Sequence, residues 1–127
     1  MKLEDKRTLR EVVTHLSAYP FVNAIILFGS AARGTTNSLS DIDIAVVTSH
    51  STGDQEFKII GQASERFDIH VFSHLPLNIQ FRVLKEGKIL FVRDEELLQT
   101  TQTQIIREYL DFAPCLHQFC EKVILNG

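Results

Sequence analysis

Two stretches decide the fold: Val22-Asn23-Ala24-Ile25-Ile26-Leu27-Phe28-Gly29-Ser30 and Ser40-Asp41-Ile42-Asp43-Ile44-Ala45-Val46-Val47. The first is a short apolar, β-branched run that stops at a Gly-Ser turn, which reads as a buried strand over 22–28. The second opens with two carboxylates and then becomes apolar, which reads as another strand over 41–47. Side chains alternate along a strand, so Asp41 and Asp43 share one face while Ile42 and Ile44 take the other. Strands disfavour Asp, and like charges on one face repel unless a cation lies between them. Hard carboxylate oxygens suit Mg²⁺, with Mn²⁺ as the close alternative.

Gly29 has no Cβ, so a phosphate can come close to its backbone. Ser30 offers a hydroxyl and an N–H at the start of the short helix expected over Ser30-Ala31-Ala32-Arg33. A Gly-Ser turn alone is an ordinary helix cap; followed by Asp-x-Asp it suggests a site for phosphoryl or nucleotidyl transfer. Gly29 and Gly34 also have the glycine spacing of a P-loop, but Thr35 stands where that motif needs lysine, so the P-loop is rejected. Arg33 is placed to reach a triphosphate, and Ser40, which ends the polar loop 34–40, to hydrogen-bond a phosphate or an Asp.

Outward from this centre, residues 3–18 carry apolar positions at helical spacing, and Tyr19-Pro20 ends them. A weakly patterned helix is expected over 55–65 and a third strand over Arg66–Phe72. In that strand Asp68, His70 and Phe72 share a face. If it neighbours the Asp-x-Asp strand, Asp68 can complete the cation cage or take a proton from an attacking hydroxyl. His70 is expected to be a half-buried structural histidine facing the same side. A helix opening at Pro76 runs to Lys85, Glu86-Gly87 closes it, and Ile89–Val92 forms a fourth strand. From Glu95 to about Leu125 a long amphipathic helix is expected, with Pro114 as its place to bend or break. Its apolar stripe, from Ile105 and Tyr109 through Phe112 to Phe119 and Ile124, is wide for so small a domain, which leaves room for a partner or a homodimer contact.

The pattern Phe28-Gly29-Ser30, Ser40-Asp41-Ile42-Asp43 and Asp68 resembles the DNA polymerase β-like nucleotidyltransferase superfamily. The Gly-Ser-x-Ala-Arg-Gly form resembles its minimal nucleotidyltransferase branch. Leu84–Phe91, with its Glu86-Gly87 turn, is similar to the strand that closes that domain, and Glu108–Phe112 to the tail of many members. The resemblance covers roughly residues 20–112. It implies an α/β (α+β) fold: a small mixed sheet flanked by helices, with a core over about 20–93 and a helical tail over about 95–126. It also implies Mg²⁺ held by Asp41 and Asp43, with Asp68 as the third acid that helps the metal and the attacking group, and ATP phosphates on Gly29 and Ser30; Arg33 and Ser40 remain the further nucleotide-binding candidates. Many minimal members are antitoxins paired with a helical HEPN-type partner, and some transfer AMP from ATP to it. The expected function is therefore AMP transfer to a protein acceptor. The alternative is an antitoxin that acts by contact alone, with nucleotide as a structural ligand or none.

Composition sets the outer bounds. The chain has 127 residues, 44% of them hydrophobic and 23% charged, with a net charge of −3, which fits one globular domain. No basic run invites nucleic acid. Two cysteines, Cys115 and Cys120, and no Cys/His cluster argue against a disulfide scaffold or zinc. The charged opening Met1–Lys6 lacks the apolar core of a secretory leader, and no apolar run has membrane-spanning length, so a cytoplasmic protein with no membrane contact is expected.

Overall fold

The structure is a computed structural model that describes residues 3–34, 41–64 and 66–126. Of the loop expected over 34–40, Thr35–Ser40 lie outside the described residues. In chain order the elements are helix α1 (Leu3–Ser17), strand β1 (Val22–Phe28), the one-turn helix α2 (Ser30–Arg33) and strand β2 (Ile42–Thr48). Then come helix α3 (Gly53–Ile60), strand β3 (Phe67–Val71), a 3₁₀ turn (Phe72–His74), helix α4 (Leu77–Glu86), strand β4 (Lys88–Val92) and helix α5 (Glu95–Asn126).

The four strands form one mixed sheet in the order β3-β2-β1-β4. β1 is antiparallel to both β2 and β4, and β2 is parallel to β3. A parallel pair needs a crossover, and α3 supplies it. β1 lies inside the sheet and is buried on both faces, which is why its sequence, Asn23 apart, is apolar without alternation. On one face, Leu9 and Leu16 of α1 and Ile59 of α3 pack on Ile25, Leu27, Ile42, Ile44, Phe67 and Ile69. On the other, Val83 of α4 and Leu98 and Ile105 of α5 pack on Ala24, Ile26, Ala45, Val47 and Phe72.

Strand register shifts between Val22 and Ala24, at Asn23, the buried polar residue of the core, 2% exposed. Its side chain is satisfied by one partner: Asn23 Oδ1 accepts from the Asp94 N–H at 3.0 Å, and Nδ2 donates to Asp94 O at 3.3 Å. Asp94 also caps α5, its Oδ1 accepting from the backbone N–H groups of Glu96 and Leu97. The centre of the sheet thus fixes where the long helix starts.

Several boundaries differ from the sequence expectation for local reasons. α3 starts at Gly53 because Thr52 and Gln55 form a reciprocal capping box, and it ends at Ile60, with the Gly61 N–H donating to Phe57 O. β3 stops at Val71 because Phe72 enters a 3₁₀ turn while its ring stays in the core. α5 continues past Pro114 to Asn126. Within its described side chains, Ile105 is buried and Tyr109 stacks on Phe81 with ring centroids 3.9 Å apart, whereas Ile106, Leu110 and Phe112 are exposed. The remainder of the expected stripe, Ala113 onward with Cys115 and Cys120, lies outside the described side chains. No helix among the described residues is long and apolar enough to cross a membrane.

Candidate active site

The acidic residues gather at one end of the sheet, on the face that carries α4 and α5. Register puts Asp43 of β2 opposite Phe28 of β1 on one side and Asp68 of β3 on the other. Parallel in-register pairing forces the two carboxylates onto the same face as neighbours. His70, paired with Ala45 two residues along, falls on that face too. Its Nε2 lies 3.2 Å from Asp68 Oδ2 and 3.5 Å from Asp43 Oδ1. The Phe28 ring meets the imidazole edge-on with centroids 5.6 Å apart, and so orients it. Asp43 and His70 are about one-third exposed (31% and 32%) and Asp68 is 54% exposed. The cluster is open to ligand on one side and walled by protein on the other.

Gly29 borders the cluster. Its φ is +74°, and a Cβ built on it would stand 2.7 Å from Asp43 Oδ2. Both facts call for glycine: the left-handed backbone and the close approach of the carboxylate. Ser30 follows as the first residue of α2. Gly29 also lines a cavity of about 140 Å³ together with Phe28, Ile79, Arg82, Val83 and Glu86, so α4 forms one of its walls.

Burial pushes the Asp43 carboxyl above its ordinary value. The contact with His70 pulls it back, and the charges of Asp68 and Asp41 add to the rise. A carboxyl held in this way disfavours its own charge until a cation arrives. One ligand atom each from Asp43, Asp68 and His70 lies within 4.8 Å of the others, close enough to share an ion.

Of the expected site residues, the structure brings together Gly29, Asp43 and Asp68, with Ser30 next in the chain. Asp41 is exposed and precedes β2 by one residue. It lies close enough for its charge to act on Asp43, and it is not in the three-residue group. The side chain of Arg33, and all of Ser40, lie outside the described residues. His70 is half-buried on the Asp68 face, as expected, and its closeness to both carboxylates is what the structure adds. The available signal was its period-two spacing from Asp68.

A family model described as "Polymerase beta, Nucleotidyltransferase" matches residues 10–96, from α1 to the start of α5. The chain belongs to the polymerase β nucleotidyltransferase family. A Methanocaldococcus jannaschii protein provisionally named a protein adenylyltransferase is 35% identical over 77 residues, which are 60% of this chain and 61% of that protein. The chain therefore spans about three-fifths of the length of this curated relative. Among solved structures, a chain of a toxin–antitoxin complex with AMP-PNP superposes with a TM-score of 0.71 at 19% identity, covering 93% of this chain and 97% of that one. A chain in the complex of a tri-AMPylated Shewanella oneidensis HEPN toxin with MNT antitoxin gives a TM-score of 0.67 at 18% identity, covering 98% and 99%. At these identities the likeness is one of fold, and it extends over nearly the whole of both chains.

Proposed function

We propose that the chain is a divalent-cation-dependent nucleotidyltransferase that moves AMP from ATP to a hydroxyl of a protein acceptor, and that this acceptor is a HEPN-type helical partner. The observation that carries the reading is the in-register pair Asp43–Asp68 beside the left-handed Gly29 turn. Carboxylate oxygens on adjacent strands make a hard-cation cradle, and the glycine leaves bare backbone for a phosphate tail. The name of the M. jannaschii relative and the description of the AMPylated HEPN complex support the acceptor class.

Asp43 and Asp68 would hold the cation, and Asp41 stands close enough to add its charge. A cation bound there would neutralise charge that builds on the triphosphate as the bond to the leaving group lengthens. Gly29 and Ser30 would seat the β- and γ-phosphates, with Arg33 and Ser40 as further contacts. Asp68, the most exposed of the cluster, would take the proton from the acceptor hydroxyl. That hydroxyl attacks the α-phosphorus, and pyrophosphate leaves.

The test is to mix the chain with its helical partner, ATP and Mg²⁺ or Mn²⁺, and to weigh the partner by intact-protein mass spectrometry. Addition of AMP that requires Asp43 supports the reading. A partner that keeps its mass while its activity is silenced would show that the chain works by contact alone.

A further inference from the structure

We infer that His70 is itself a ligand of the cation, and that its imidazole makes this site prefer Mn²⁺-type transition ions to Mg²⁺. The inference rests on the reading of the site as cation-dependent, and goes beyond it in naming a nitrogen ligand and the selectivity that follows.

Three observations carry it. First, Nε2 of His70 points between the carboxylates, 3.2 Å from Asp68 Oδ2 and 3.5 Å from Asp43 Oδ1. Bonds of about 2.1 Å place neighbouring ligand atoms of an octahedron roughly 3 Å apart. Nε2 already lies near that edge length from both carboxylates, and the three ligand atoms are within 4.8 Å of one another, so one ion can touch all of them after side-chain adjustment. Second, the ring is held. Phe28 packs against it, and the β2–β3 register fixes its height above Asp43 and Asp68. A ligand pre-oriented in this way loses little freedom on binding. Third, one ligand atom each of Asp43, Asp68 and His70 lies within 4.8 Å of the others, so an ion drawn to Asp43 meets the imidazole as its neighbour.

The chemistry of the donor set gives the selectivity. Mg²⁺ favours oxygen and keeps several waters, whereas imidazole suits first-row transition ions. Two carboxylates and one imidazole therefore raise affinity for Mn²⁺ more than for Mg²⁺. An Nε2–H donating to the same oxygens would hold the carboxylates in place but would confer no such preference. That is the structural role to be distinguished.

The experiment uses the whole chain with Mn²⁺ and inorganic triphosphate, whose oxygens mimic the ATP tail and which carries no nitrogen. Mn²⁺ binding is followed by the loss of the free-ion paramagnetic signal, Mg²⁺ by competition, and nitrogen ligation by the ¹⁴N modulation of the Mn²⁺ spin echo. The expected result is ¹⁴N modulation in the wild type that disappears in His70→Gln. That variant should lose roughly tenfold in Mn²⁺ affinity while Mg²⁺ affinity changes less than about threefold. Asp43→Asn should remove the bound signal and so locate it. Mn²⁺ bound by the wild type without ¹⁴N modulation, or modulation that survives His70→Gln, overturns the inference and leaves the transferase reading standing. Equal losses of Mg²⁺ and Mn²⁺ in His70→Gln also overturn it, in favour of a positioning histidine. Failure of the wild type to bind either ion overturns it together with the cation-dependent reading beneath it.

Discussion

Gly29 and Asp43 share one space: the Cβ that any other residue would place at position 29 would stand 2.7 Å from Asp43 Oδ2. The same glycine has a φ of +74°, where an L-residue is strained by about 1–2 kcal/mol. Gly29→Ala should therefore lower unfolding free energy in denaturant titration by at least that strain. It should also push the Asp43 carboxylate off its position and weaken Mg²⁺–ATP binding in calorimetry by roughly tenfold or more. An alanine variant that keeps both stability and nucleotide affinity would show that the close approach is not needed.

Asp43 supplies a pH-dependent prediction. Its carboxyl is raised by burial, against the pull of His70 and with the added push of Asp68 and Asp41. A raised value means that the folded chain holds this proton more tightly than the unfolded one. The stabilising effect is thus complete in acid and is lost as pH rises through the raised value. Without divalent cation, Asp43→Asn should equal or exceed the wild type in melting temperature near pH 7. Its advantage should shrink as pH falls below the ordinary Asp range of about 4. An advantage that grows on acidification would mean that the ionised carboxylate stabilises the fold.

Asn23 predicts the opposite kind of effect, on stability with the site left intact. Its side chain exchanges two hydrogen bonds with the backbone of Asp94 at the start of α5. Asn23→Ala leaves those partly buried groups unpaired, at a cost of about 1–3 kcal/mol. The exposed Gln99 on the same helix is the control, since a surface change of this kind stays within about 0.5 kcal/mol. Denaturant unfolding of the two variants should separate them clearly.

The strands were legible because burial on both faces left β1 apolar without alternation from Ala24 to Phe28, and because Asp-x-Asp marks where β2 leaves solvent. The parallel pairing of β2 with β3 was not legible. Alternation along a strand says which residues share a face, but not which strand lies beside it or in which direction. Asp68 could therefore be nominated from sequence but placed next to Asp43 only by register. His70 was legible as a half-buried residue on the Asp68 face, but its contact with both carboxylates was not, for a related reason. Its spacing from Asp68 showed the face, while its contact with Asp43 runs through a strand that is distant in sequence. The reach of α4 to Gly29, which closes the small cavity around Arg82, depends on helix packing that no local pattern encodes.

Asp68 separates chemistry from binding. It lies on β3, while Asp43 lies on β2 beside the Gly29 turn, and it is the more exposed of the two carboxylates. If Asp68 takes the acceptor proton, Asp68→Asn should retain the share of ATP affinity that Asp43 and the Gly29 turn supply, and all of the partner binding. Its transfer rate should fall by about 10²–10⁴-fold, the usual contribution of a general base. The neutral amide keeps the shape of the side chain and can still meet His70, so a stability change is not expected to confuse the result. Single-turnover transfer to the partner, read as mass added per unit time with saturating ATP, measures the rate apart from affinity. A rate that falls only in proportion to lost nucleotide affinity would make Asp68 a cation ligand and nothing more. A partner silenced equally by wild type and Asp68→Asn, and unmodified by both, would mean that its neutralisation depends on contact and not on transfer.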